Sequence, residues 1–86
     1  MKEYFTIKNE NGRYLKTGGI GWTDKLDGAI IGTNGQMSAV IKFKECVKDI
    51  SPYQHIITYV GTGESAWDVK RKIRIENGTK KINRHL

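Results

Sequence analysis

Asp68-Val-Lys-Arg-Lys-Ile-Arg-Ile-Glu-Asn-Gly-Thr-Lys-Lys-Ile-Asn-Arg-His-Leu86 holds seven basic residues against two acidic ones, a net of +5 out of the chain's +6. Val69, Ile73 and Ile75 fall on odd positions while Lys70, Lys72 and Arg74 fall on even ones, the period-2 pattern of a strand with one buried and one solvated face. Only Arg71 breaks it. Asn77-Gly78 supplies two residues that tolerate positive φ, so the pattern predicts a hairpin with Ile75 opposite Lys80 and Ile73 opposite Ile82. The outer face of that hairpin would be a rigid basic surface. Lysines also guard exposed strand edges from aggregation, so the same pattern fits a solubilising edge.

Working outward, residues 1–67 carry only +1 and divide into turn-bounded segments. Tyr4 to Thr17 predicts a first hairpin. A two-residue Asn11-Gly12 loop would scatter its apolar residues. A three-residue loop, Glu10-Asn11-Gly12 with Gly12 left-handed, instead sets Ile7 against Leu15 and Phe5 against Thr17 and gathers Phe5, Ile7 and Leu15 on one face. Tyr4 and Tyr14 would then be exposed or covered by the next segment. Gly18-Gly-Ile-Gly-Trp22 lacks the Gly-Lys-Ser/Thr ending of a phosphate loop, and Gly61-Thr-Gly63 is weaker still, so both read as loops. Trp22 is expected to plug the core, Thr23–Asp27 to form a turn or one helical turn, and Ala29–Ile31 a short buried strand or a lead-in to a helix.

Thr33-Asn-Gly-Gln36 is a capping-box pattern and predicts a helix start. A helical wheel over 35–49 gathers Ala39, Val40, Phe43, Cys46, Val47 and Ile50 on one side, centred near Phe43, with Lys44 and Lys48 at its border. Those lysines would snorkel beside the core or extend the basic surface. Ser51-Pro52 ends the helix. Tyr53-Gln-His-Ile-Ile-Thr-Tyr-Val60, β-branched and aromatic, predicts a central strand, since both of its faces are apolar. The expectation is one α+β domain over residues 1–86, an antiparallel sheet of two hairpins and a central strand packed on one helix.

Catalytic chemistry finds little support. Cys46 falls on the apolar side of the helix, where its thiolate is disfavoured. His55 has no second member of an acid–base pair, His85 lies next to the terminus, and one cysteine with two unclustered histidines makes no metal site. No enzymatic activity, metal or cofactor is expected. One cysteine allows no internal disulfide, and no leader or long apolar run is present, which implies a soluble intracellular protein. A pI near 9.6 points to anionic partners. The candidate nucleic-acid-binding residues are Lys70, Lys72, Arg74, Lys80, Lys81 and Arg84, with Trp67 able to stack on a base or to close the core.

The series Tyr4…Ile7-Lys-Asn…Gly12-Arg-Tyr-Leu-Lys16…Trp22-Thr-Asp24…Ala29, with the helix from Asn34, resembles a pattern seen in small phage-encoded accessory proteins of mixed α+β fold. It spans about half the chain, and its motifs are structural. Within that group, length, basicity and the lack of catalytic groups are similar to the antitoxin-like inhibitors of ToxN-type endoribonucleases made by T4-type phages. The resemblance implies a non-enzymatic anti-defence protein of the host cytoplasm that binds RNA or another polyanion and inhibits a toxin endoribonuclease. The alternative is a protein-only inhibitor that docks on an acidic patch of a host enzyme, as anti-restriction or anti-CRISPR proteins do. Neither reading involves a membrane.

Overall fold

The computed structural model describes residues 1–46 and 55–84, and of residues 45–46 and 77–84 it describes the backbone alone. The fold is α+β. Strands β1 (Lys2–Asn9), β2 (Tyr14–Leu15), β3 (Trp22–Thr23) and β4 (His55–Gly63) form an antiparallel sheet in the order β3-β2-β1-β4, with helices α1 (Asn34–Cys46) and α2 (Ala66–Arg84).

The first hairpin takes the expected register. Lys8 pairs with Tyr14, the Asn9 amide donates to the Arg13 carbonyl at 2.8 Å, and Gly12 sits at φ +79°, a conformation that favours glycine. Asn9 organises the turn by accepting the amides of Asn11 and Arg13 on its side-chain oxygen. Phe5 does not pair with Thr17, because residues 29–32 wedge in beside β1. Phe5 and Gly32 exchange amide-to-carbonyl hydrogen bonds of 2.7 and 3.0 Å, and the Thr6 hydroxyl donates to the Ile30 carbonyl at 2.7 Å.

The sheet buries both faces. On one, Ile7, Leu15 and Met37 form a cluster joined by Phe5, Trp22, Val40, Ile41 and Ile57. On the other, Tyr4, Ile31 and Val69 meet Val60, Ala66 and Ile73. Tyr4 is therefore covered by α2, a segment remote in sequence.

The capping box closes as its residues require. The Gln36 amide donates to the Thr33 hydroxyl at 3.2 Å, and the Thr33 amide donates back to the Gln36 side-chain oxygen at 2.8 Å. The helix is rotated from the expected wheel, however. Met37, Val40, Ile41 and Lys44 face the sheet at i, i+3, i+4 and i+7, while Phe43 is 64% exposed. Including Val47 and Ile50 drew the wheel's apolar arc toward Phe43. Those two residues, Lys48 and the Ser51-Pro52 helix stop lie outside the described residues. Lys44 is only 7% exposed and so does not extend the basic surface; a Cβ added at Gly19 would meet its Cε at 3.1 Å.

Two further expectations change. The strand after Pro52 is described from His55, runs on through Gly61-Thr-Gly63 rather than looping there, and among the described residues lies at the edge of the sheet, paired with β1. Its apolar residues on both faces reflect exposure of Ile56 and Tyr59 rather than a central place. The second hairpin is replaced by a helix: residues 69–76 and Asn77-Gly78 all lie within α2. Val69 and Ile73, spaced i and i+4, pack inward with Ala66, while Ile75 is exposed, so the apparent alternation was a helical stripe with one apolar residue off the face.

Candidate nucleic-acid interface

Ser65 starts α2. Its side-chain oxygen accepts the Asp68 amide at 3.3 Å, its carbonyl accepts the Val69 amide at 3.3 Å, and Asp68 places an acid in the first turn, where the helix dipole favours one. Ser65-Ala-Trp-Asp68 is the sequence signature that marks this helix. Close packing on the sheet depends on Gly63, which is buried; a Cβ there would stand 3.2 Å from Val69 Cγ2 and 3.3 Å from the Ser65 carbonyl oxygen.

With Ala66, Val69 and Ile73 turned inward, Trp67, Arg71 and Arg74 fall on the outer side at i, i+4 and i+7. Trp67 is 64% exposed and does not close the core. The Arg74 guanidinium lies over its ring, 5.8 Å from the centroid, a cation–π contact worth about 0.5–1 kcal/mol at an exposed site. This contact sets the indole and the guanidinium side by side on one surface.

The predicted cations divide between two roles. Arg74 joins the outer face. Lys70 reaches back to the sheet, its Nζ donating to Thr17 Oγ1 at 2.9 Å, and Lys72 Nζ donates to the Thr62 carbonyl at 3.1 Å, so both ammonium groups strap the helix to its support. They flank the outer face rather than forming its centre, as they would on a strand. Lys80, Lys81 and Arg84 lie on the last turns of α2, where the backbone alone is described. Arg71, absent from the predicted set because it broke the alternation, is exposed beside Trp67 and Arg74.

Beside this face a cleft of about 350 Å³ opens between Met1, Gly63 and α2, and its lining includes Glu64, Asp68, Arg71 and Lys72. Its two carboxylates balance its two cations, so the cleft itself is formally neutral and Arg71 stands where it meets the outer face. Among the described residues the one histidine, His55, begins β4 at the end away from α2, and its buried Nδ1 has no hydrogen-bond partner there; His85 lies outside the described residues. Among the described residues no three His, Cys, Asp or Glu side chains come together as metal ligands, and no helix is long and apolar enough to cross a membrane.

The chain matches no family model, no curated protein and no solved structure.

Proposed function

We propose that this chain is a non-enzymatic module that binds RNA through the outer face of α2, and that it acts in the host cytoplasm by restraining an RNA-associated defence factor such as a toxin endoribonuclease. The observation that carries the binding step is the exposed Trp67 indole held under the Arg74 guanidinium, beside Arg71, on a helix with net charge +5. Arginine and lysine contact phosphates and release counterions, and an accessible indole offers a stacking platform to an unpaired base. Lys70 and Lys72 add positive potential at the flanks. The inhibitory role rests on the resemblance of the first half to phage accessory proteins.

The double variant Arg71→Glu/Arg74→Glu tests the reading. Both side chains are exposed, so melting is expected to shift by no more than about 1 kcal/mol, while RNA binding in a fluorescence anisotropy titration is lost. A folded double variant with full RNA affinity removes the proposal.

The same Trp67–Arg pair also suits a protein partner, since tryptophan and arginine are the residues that most often anchor interfaces. Capture of the partner before and after nuclease treatment separates the two. Survival of the complex assigns α2 to an acidic protein surface, and its loss assigns α2 to RNA.

A further inference from the structure

The cleft beside α2 carries groups that the outer face of the helix lacks. Two exposed apolar side chains, Met1 and Ile75, line it together with the carboxylates of Glu64 and Asp68 and the cations Arg71 and Lys72, and the buried Gly63 adds no side chain. At about 350 Å³ it matches the smaller ligand sites, so it admits one flat heterocycle and excludes a helix or a folded chain.

Charge in this cleft is balanced but not paired. Among the described residues no hydrogen bond or ion pair engages the side chain of Glu64, Asp68 or Arg71, and the Lys72 ammonium is taken by the Thr62 carbonyl at 3.1 Å. Asp68 is the more enclosed acid. It is half-buried and stands one helical turn before Arg71, whereas Glu64 is exposed. A formally neutral cleft offers a nucleic acid no net attraction for phosphate, which the Arg71–Arg74 ridge supplies. It offers contacts to the edge and faces of a base.

Unengaged acceptors beside apolar side chains suit a ligand that is apolar on its faces and donates from its edge, and an unstacked nucleobase has that form. Guanine fits best. Its Watson–Crick edge presents an imino and an amino N–H side by side, and one carboxylate accepts both. Adenine and cytosine set an amino donor next to a ring-nitrogen acceptor, and uracil sets its imino donor between two carbonyls. Each of these turns a lone pair toward the carboxylate.

Resting on the RNA reading of α2, we propose that the cleft takes an unpaired guanine, with Asp68 accepting its imino and amino protons and Glu64 a second acceptor beside it. Met1 and Ile75 cover its faces. Arg71, which lines the cleft and also lies on the outer face, holds the phosphate that joins this nucleotide to a neighbour stacked on Trp67. The helix then reads two successive nucleotides, any base at Trp67 and guanine in the cleft.

Anisotropy titrations with short uridine strands carrying one central guanosine, adenosine or inosine test the proposal. The guanosine strand is expected to bind at least about tenfold more tightly than the adenosine and all-uridine strands. Inosine keeps the imino proton and the whole opposite edge but lacks the amino group, so most of that gain should be lost. In Asp68→Asn/Glu64→Gln, where an amide donor replaces an oxygen at each position, the guanosine preference should vanish. Equal binding of all strands by the wild-type protein overturns the guanine site and leaves the RNA reading of α2 in place; failure of every strand to bind at low salt overturns both. Inosine binding as tightly as guanosine also overturns the site, because the base is then read at its other edge. That comparison needs only the wild-type protein and so decides even where the double variant folds poorly. A preference that survives in a folded double variant overturns the role of the two carboxylates and with it the proposal.

Discussion

Met37 and Phe43 lie six residues apart on one helix and are placed in opposite environments, 2% and 64% exposed. Truncating Met37 leaves a cavity against Ile7 and Leu15, so Met37→Ala is expected to cost about 2–5 kcal/mol. Phe43→Ala should change stability by only about 0.5 kcal/mol, as at other exposed sites. Urea denaturation of both variants checks the rotation of α1, and reversed magnitudes would turn the helix by a third of a revolution. Gly32 is a second single-residue constraint. A Cβ there would stand 2.6 Å from Gln36 Oε1 and 2.9 Å from Met37 Cε, so Gly32→Ala must shift both side-chain ends, one of them a partner in the capping box. Its expected cost, read by the same denaturation, is about 1–3 kcal/mol.

In α2, Asn77-Gly78 is tolerated in the interior although Asn-Gly is a strong short hairpin signal, the one that turns the chain at Asn11-Gly12. The high helix propensity of lysine and arginine and an i, i+4 apolar stripe favour the helix, against like-charge pairs such as Lys70/Arg74, and Gly78 weakens it by about 1 kcal/mol relative to alanine. Asn77→Ala/Gly78→Ala should therefore deepen the helical circular dichroism signal and raise the melting temperature. Loss of stability would restore the turn. At the other end, Ser65→Ala removes the cap oxygen and is expected to cost about 1 kcal/mol, with the first turn of α2 exchanging its amides faster.

For the whole molecule, the distribution of charge matters more than its total. Nearly all of the net charge lies on one helix, and Lys70 and Lys72 are anchored by Thr17 and Thr62. Replacing these two lysines with glutamate would remove straps as well as charge, so Arg71 and Arg74 are the cleaner positions at which to separate binding from stability. If α2 makes about three to seven phosphate contacts with single-stranded RNA, the logarithm of the affinity should fall with the logarithm of salt with a slope of about −2 to −5. Titrations across a salt series measure it. A flat response would leave the basic face as a solubilising surface.

Contacts between neighbours in the chain were legible from the residues alone. Asn9, Gly12 and the three-residue loop specify the first turn through hydrogen bonds spanning at most four residues, and Thr33 with Gln36 starts α1 in the same way. The concentration of charge after residue 67, and with it the candidate binding stretch, was equally plain. The secondary structure of that stretch depends instead on long-range packing. Val69, Ile73 and Ile75 satisfy period 2, and Ala66, Val69 and Ile73 satisfy a helical stripe, so the pattern alone was degenerate. What selects the helix is the second face of the sheet, where Tyr4 and Ile31 need cover and where Gly63 lets a backbone approach closely enough to supply it. The same dependence hid Arg71. A residue that interrupts a strand pattern stands beside Trp67 and Arg74 once the chain turns every 3.6 residues, and it is the buried contact at Val69 that fixes which side of the helix they share.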